Sequence, residues 1–468
     1  MHSGSKRLVL TTTSMAAFIT PFLSSAIAFA VPRIGVSFHL NFVQVALIPM
    51  AFLIPLASFM IFFGRVSDDV GRVRIFRVGL AIFGISSIAA SFSSSFIFLI
   101  AMVFLAGTGS AVLSTNSTAI VSYVYSGGGR GFALGINAMS VYLGLTFAPF
   151  LGGILIEYIG WRSLFLFSGP VGFAALALSV VSLRNLEIRG ATTRSGILGA
   201  SFLAGTIMAL TAYVVLGDVT GFIRSVYILP VAAVFIVLFI RYGLHGKGEA
   251  IPSGMLKENR TFAASNLTAL LNYLSTFSIV FVFSIYLQVI LHVSPFLSGI
   301  LILPEPVFMV ALSPVAGKLS DRFGSRVIAS AGMAIIGLSF IGLYIIHPLY
   351  STTILILLAS IGIGFGLFSA PNTNSVMGSV SRDNSGTASG FLGTMRFMGQ
   401  LFSIVLATMI ISAYIPRSLT VGMFSGTVIT ITPQYFSSFS QGFRIVMIIS
   451  AALSLVGAFT SLLKNRGR

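Results

Sequence analysis

The sequence predicts an all-α integral membrane protein, a helical bundle solvated by lipid, and three observations carry that expectation. Of 468 residues, 56% are hydrophobic and only 8% are charged, against roughly 25% charged in soluble domains. Uncharged runs recur along the whole chain, and they accommodate the about 20 apolar residues that a spanning helix needs. The runs are continuous rather than alternating, which excludes the dyad-patterned strands of a membrane β-barrel. A water-soluble enzyme of this composition would expose apolar patches far larger than monomers tolerate. A disordered chain is excluded by the same hydrophobicity.

Taken in order, the runs predict fourteen helices: 9–31, 43–63, 77–93, 96–122, 131–158, 163–184, 196–217, 224–243, 262–290, 296–317, 327–346, 352–378, 386–413 and 442–463. The first follows Lys6 and Arg7 and contains Ala26-Ile27-Ala28, a pattern shared with cleaved signal peptides. Its apolar length, about 25 residues, exceeds a signal core, so it is assigned as a span. The two longest runs divide at Ser93-Ser94-Ser95 and at His347-Pro348. Segment 418–440 is uncharged but rich in Ser, Thr and Gly, and is expected to form a long outer loop.

Orientation follows from the basic residues. With the N-terminus inside, 21 of the 27 Lys and Arg lie on the cytoplasmic side. Five lie outside (Arg33, Arg162, Arg224, Arg417 and Arg444), and Arg396 falls within a helix. This asymmetry places both termini in the cytoplasm of a multi-pass protein of the cell (plasma) membrane. The net charge of +17 is then topology and contact with membrane lipid, not nucleic-acid binding. There is no cysteine, the five histidines are scattered, and no Walker loop occurs. Neither a metal, a cofactor nor ATP is expected.

An internal repeat is present. Gly64-Arg65-Val66-Ser67-Asp68-Asp69-Val70-Gly71-Arg72 follows the second helix, and Gly317-Lys318-Leu319-Ser320-Asp321-Arg322-Phe323-Gly324-Ser325-Arg326 follows the tenth, 253 positions later. Glycines permit tight turns, and an Asp at a loop pairs with Arg or sits at a helix N-terminus. Two related halves are the mark of a repeat-built transporter.

On these motifs the chain resembles the major facilitator superfamily, and within it the fourteen-helix drug:proton antiporter branch. Both loops resemble the superfamily's signature loop, with Asp68, Arg72, Asp321 and Arg326 on its charged positions and Asp69 in place of the usual basic residue. Gly144-Leu145-Thr146-Phe147-Ala148-Pro149-Phe150-Leu151-Gly152-Gly153 resembles the antiporter motif G-x-x-x-G-P-x-x-G-G, with Ala148 for one glycine. Gly160-Trp161-Arg162, Tyr286-Leu287-Gln288, Ser294-Pro295 and Pro371-Asn372-Thr373 are similar to further branch motifs. The resemblance implies an N-terminal six-helix bundle over 1–184, two inserted helices and a cytoplasmic linker over 185–260, and a C-terminal six-helix bundle over 261–468. It also implies that the protein is a transporter and not an enzyme. Two positions depart from the branch: Val103 stands where an arginine is usual and Leu23 where an acid is usual. The family associates both with proton coupling, so coupling is relocated or absent.

Only ten acids are available to carry a proton, and nine lie in loops or at helix ends. Glu305 is about 14 Å from the start of the tenth helix and about 18 Å from its end, near the middle of a core about 30 Å thick. A carboxyl that takes a proton from one side and releases it to the other is what antiport requires; the alternative is a structural Glu. Pro304 and Pro306 free carbonyls and bend the helix. Arg396 is its expected partner, or else snorkels toward the cytoplasm.

By the resemblance, helices 1, 4, 9 and 12 line a central cavity, with candidates Phe18, Phe22, Asn116, Asn266, Asn272, Tyr273, Phe277, Asn372 and Asn374; helix packing is the alternative role for each. An aromatic cavity with few charges suits amphipathic or weakly cationic molecules. The expected function is proton-coupled export of amphipathic drugs or metabolites by alternating access. Asp68, Arg72, Asp321 and Arg326 would act as cytoplasmic gate contacts, and the Gly144–Gly153 stretch would seal helix 5 against a neighbour. A facilitator or proton symporter, and a non-transporting receptor or assembly subunit, are the alternatives.

Overall fold

The computed structural model describes residues 3–125, 130–184, 186–188, 194–220, 225–244, 259–346, 351–380, 385–415 and 433–464. Apolar length dictates the elements, because backbone groups in lipid must be satisfied within the helix. The first half contains α1 (Ser3–Phe38), α2 (Phe42–Val70), α3 (Arg72–Ser91), α4 (Phe96–Val124), α5 (Arg130–Tyr158) and α6 (Arg162–Ser182). Next come α7 (Arg194–Thr220) and α8 (Ile228–Phe239), the latter ending in a π turn over Ile240–Leu244. The second half begins with α9 (Arg260–Ile290), interrupted at Phe277 and closing in a π turn over Tyr286–Ile290. Then follow α10 in two segments (Pro295–Ile302 and Pro304–Phe323), α11 (Ser325–Ile345), α12 (Ser351–Gly378), α13 (Ser385–Tyr414) and α14 (Pro433–Leu462). Thirteen of these helices are long and apolar enough to cross a membrane, and α8 is a shorter apolar helix.

Several elements differ from the sequence expectation: α2 and α10 run on to Val70 and Phe323, so most of each repeated motif is helical rather than loop. The tenth helix breaks at Leu303, because Pro304 lacks the N–H that would continue the hydrogen-bond ladder. The last helix starts at Pro433 rather than 442. Proline is at ease in a first helical turn, so the end of the expected 418–440 loop is helical; residues 416–432 lie outside the described residues.

The two halves repeat in geometry. Gly71 and Gly324 end equivalent helices with φ of +120° and +85°, and their N–H groups bond to the carbonyls of Ser67 and Ser320. The α3–α4 crossing brings Gly79 and Gly109 together, and a Cβ on Gly109 would lie 2.8 Å from the Gly79 oxygen. The α11–α12 crossing does the same with Gly332 and Gly364, at 2.5 and 2.6 Å from each other's oxygen. Small residues let helix backbones touch where lipid gives no hydrophobic drive.

The halves meet through α2 against α13, α5 against α10, and α1 against α9. Among the described residues, polar bonds join the halves at mid-depth and at the face opposite the termini. Ser284 Oγ donates to the Ala28 carbonyl and Gln288 Nε2 to the Phe29 carbonyl, both at 3.2 Å. Glu157 Oε2 accepts from the Phe296 N–H at 2.8 Å, a carboxylate capping the helix that follows Ser294.

Candidate functional site

Helices α9, α12 and α13 converge on Arg396, and α5 reaches the neighbouring turn of α12. A Cβ on Gly399 would lie 2.7 Å from the Leu270 oxygen, so α13 and α9 are in backbone contact one turn away. That proximity places the half-buried Arg396 guanidinium 5.9 Å from the Tyr273 ring centre. Its Nη2 donates to Thr373 Oγ1 of α12 at 2.6 Å. Tyr273 meets Phe365 edge to face at 5.3 Å, and Phe365 meets Phe368. From the other half, Tyr142 of α5 shares a hydrogen bond with Ser369, one turn from Thr373.

The cluster leaves polar atoms unsatisfied. Arg396 Nε and Gln400 Oε1 are buried without a hydrogen-bond partner, a cost of about 1–3 kcal/mol for each neutral group and more for a charged one. A planar donor beside an aromatic face offers a ligand both stacking and hydrogen bonds. Gln400, Tyr142 and Ser369 were not singled out from sequence, since isolated polar residues in apolar helices carry no periodic signal.

Glu305 occupies a separate junction. It follows the break in α10, and its backbone abuts α12, where a Cβ on Gly362 would lie within the Glu305 carbonyl. Thr146 of α5 donates to the Pro306 carbonyl at 3.2 Å. Glu305 is half-buried as a residue, but its Oε2 is buried and unpartnered. No ion pair joins Glu305 to Arg396, so the expected pairing is corrected: Arg396 turns to Thr373 and Tyr273 instead.

The two repeated turns differ in their surroundings. Arg72 and Asp68 form an ion pair of 2.5 Å, both largely buried. The Arg72 N–H donates to the Ile188 carbonyl at 2.9 Å, and the Glu187 carboxyl lies where a Cβ on Gly71 would be. Asn116 Nδ2 donates to Ser67 Oγ at 2.9 Å, binding α4 to the same turn. Gly64 faces Thr115. In the second copy no described residue comes within 4 Å of a Cβ on Gly317 or Gly324. Ser325 and Ser375 share a hydrogen bond of 2.6 Å, and the Arg326 carbonyl accepts from Ser461. The side chain of Asp321 lies outside the described residues.

The glycine motif of α5 serves two contacts. Gly144 abuts α1, where a Cβ would lie 2.3 Å from the Phe18 oxygen. Pro149 and Gly153 abut α10: a Cβ on Gly299 would lie 2.4 Å from the Pro149 oxygen, and one on Gly153 2.8 Å from the Pro295 oxygen. Gly152 has only ordinary contacts, with Leu164 and Phe29.

Of the nine cavity candidates, Tyr273 lies beside Arg396. Phe18 stacks on Phe22, and Phe22 packs fully buried against Phe167 of α6. Asn266 Nδ2 bonds to the Phe262 carbonyl of its own helix. Asn272 Nδ2 reaches Met333 Sδ at 3.2 Å. Phe277 marks the interruption of α9, and Asn374 is exposed. Asn372 is buried, donating to the Ser265 carbonyl and accepting from Lys464.

The Major Facilitator Superfamily model matches residues 13–194 and 187–404. The chain belongs to the Major Facilitator Superfamily. Among its superfamily relatives is the riboflavin transporter RibZ of Clostridioides difficile (strain 630), 28% identical over 419 residues and 89% of each chain. The tetracenomycin C resistance and export protein of Streptomyces glaucescens is 25% identical over 393 residues, covering 83% of this chain and 73% of the relative. A bacterial homolog of the human lysosomal transporter Spinster, solved inward-facing and unoccupied, shares the superfamily fold. Its TM-score is 0.69 at 16% identity, over 99% of this chain and 97% of that one. With its membrane-spanning helices in two related halves, this superfamily member is a secondary transporter.

Proposed function

We propose that the protein exports small aromatic amphipathic molecules from the cytoplasm across the plasma membrane, in exchange for protons. The observation that carries this reading is the Arg396–Tyr273 cluster, built from both halves and holding unpartnered polar atoms. Relatives named for riboflavin and for tetracenomycin C support a planar aromatic substrate. Arg396 has no acidic partner among the described residues, so a neutral or anionic end suits the site better than the weakly cationic one expected from composition.

The assignment of bundles to 1–184 and 261–468, with 185–260 inserted between them, belongs to the same reading. So does the orientation. If the basic face is cytoplasmic, the Glu157, Ser284 and Gln288 bonds close the outer face, and the described arrangement is inward-facing. Alternating access then requires these bonds to break and the cytoplasmic turns around Asp68, Arg72, Asp321 and Arg326 to gather.

Glu305 is the proposed proton carrier, because its Oε2 is the intramembrane carboxyl oxygen without a partner. A facilitator is the second reading, favoured by Leu23 and Val103 at the positions where the branch carries coupling residues. The test is proton flux in proteoliposomes on adding riboflavin or a tetracyclic aromatic, wild type beside Glu305→Gln. Flux in wild type and its loss in the variant, with substrate counterflow kept, support antiport through Glu305. Equal flux in both removes Glu305 from the mechanism, and labelled substrate moving without flux establishes the facilitator.

A further inference from the structure

We propose that a groove between α5 and α6, floored by α1, holds one anionic phospholipid of the cytoplasmic leaflet. The groove exists because α5 and α6 each pack on α1 but hardly on one another. It encloses about 760 Å³ and is lined by Lys6, Arg7, Ser14 and Phe18 of α1, Phe132 of α5 and Val171 of α6, among others. Phe132 is 73% exposed on its rim, an apolar ring that the described residues leave uncovered.

The mouth of the groove is positively charged and held in place. Tyr125 donates its hydroxyl to the Lys6 carbonyl at 3.0 Å, and the Lys6 ammonium lies 5.9 Å from the Tyr125 ring centre. Neither Lys6 nor Arg7 has an acidic partner among the described residues. Deeper in, Ser14 lines the wall with its Oγ buried and unpartnered, leaving a donor for a ligand.

Depth identifies the occupant. Arg7 and Phe18 are eleven residues apart on one helix, about 16 Å along its axis. The hydrocarbon core is about 30 Å thick, so the slot is as deep as one leaflet. Two cations at its mouth face the surface that the arginine distribution assigns to the cytoplasm, where anionic headgroups concentrate. A phosphodiester between Lys6 and Arg7 with one acyl chain running to Phe18 matches both charge and length. A detached aromatic solute would fill the slot but has no use for the paired cations.

Native mass spectrometry of the full chain, released from nanodiscs of mixed phosphatidylglycerol and phosphatidylcholine, tests the proposal. Wild type is expected to retain one phosphatidylglycerol in preference to phosphatidylcholine. The Lys6→Gln, Arg7→Gln double variant should bind it roughly thirtyfold more weakly. Arg241→Gln, which removes a cation outside the groove, should retain it as wild type does. A second variant, Ser14→Phe, fills the slot without touching the charges and should also lose the adduct. Equal retention of both lipids by wild type, or undiminished retention by the double variant, overturns the proposal.

Discussion

The Lys464 ammonium donates to Asn372 Oδ1 at 2.8 Å, and Asn372 in turn donates to the Ser265 carbonyl at 3.1 Å. A lysine beyond the end of α14 is thereby tied to α12 and α9. It is buried, and burial lowers its pKa from 10.5 to about 7. Between those values the undocked lysine binds a proton that the docked one does not. Docking is therefore weakest at about pH 7 and below, and strengthens as pH rises through the window. Thermal unfolding in detergent should show wild-type stability rising from pH 7 to pH 9 relative to Lys464→Met. Parallel curves for the two proteins would show that Lys464 is not docked.

The α5–α10 contact predicts a contrast between adjacent glycines. Gly153 has the Pro295 carbonyl 2.8 Å from its missing Cβ, whereas the nearest neighbour of Gly152 is a leucine methyl at 3.7 Å. Gly153→Leu should force the halves apart at that face and greatly reduce transport. Gly152→Ala fits an ordinary contact and should stay near wild type. Gly299→Leu, opposite Pro149, should resemble Gly153→Leu. Substrate counterflow in proteoliposomes measures all three, and activity in Gly153→Leu would show that the crossing is not needed.

Removing the charge of Asp68 leaves the largely buried Arg72 without its partner. The expected cost is about 1–3 kcal/mol, between exposed and fully buried pairs. If the turn also gates the cycle, Asp68→Asn should slow transport while leaving substrate affinity unchanged. Rate and affinity measured on one preparation separate the two effects, and an unaltered rate would confine Asp68 to stability.

The membrane itself explains how much of this architecture was legible. Lipid demands long apolar runs and self-satisfied backbones, so the order of the helices could be read directly. The repeated turn was equally visible, since Gly71 and Gly324 share both motif and positive φ. Rotation of a helix about its own axis was not. α1 carries Thr and Ser on all its faces, four of them in a row at Thr11-Thr12-Thr13-Ser14, so polarity does not fix which face meets the centre, and Phe18 and Phe22 turn toward α6. The Arg396 cluster was half legible: Arg396 and Tyr273 stood out, but Tyr142 and Gln400 gain meaning only once α5, α9, α12 and α13 converge. Glu187 was hidden for a related reason, because its contact with Gly71 spans more than one hundred residues and crosses no motif.

That contact separates the two copies of the turn. Both glycines lie at positive φ with ψ of 126° and 138°, outside the left-handed helical region, where a Cβ costs about 1–3 kcal/mol. No described residue comes within 4 Å of a Cβ on Gly324, so Gly324→Ala should lose stability by about that backbone term alone. At Gly71 a Cβ would also strike the Glu187 carboxyl, with both Oε1 and the carboxyl carbon closer than 3 Å. Glu187 is exposed and its carboxyl is the free end of a flexible side chain, so it can swing aside, and Gly71→Ala should cost about as much as Gly324→Ala. Adding Glu187→Ala removes the contact but not the strain, so the double variant should match Gly71→Ala. Unfolding curves for the four proteins in one detergent decide the matter. A much larger loss for Gly71→Ala than for Gly324→Ala, recovered by Glu187→Ala, would show instead that Glu187 is held rigidly on the turn.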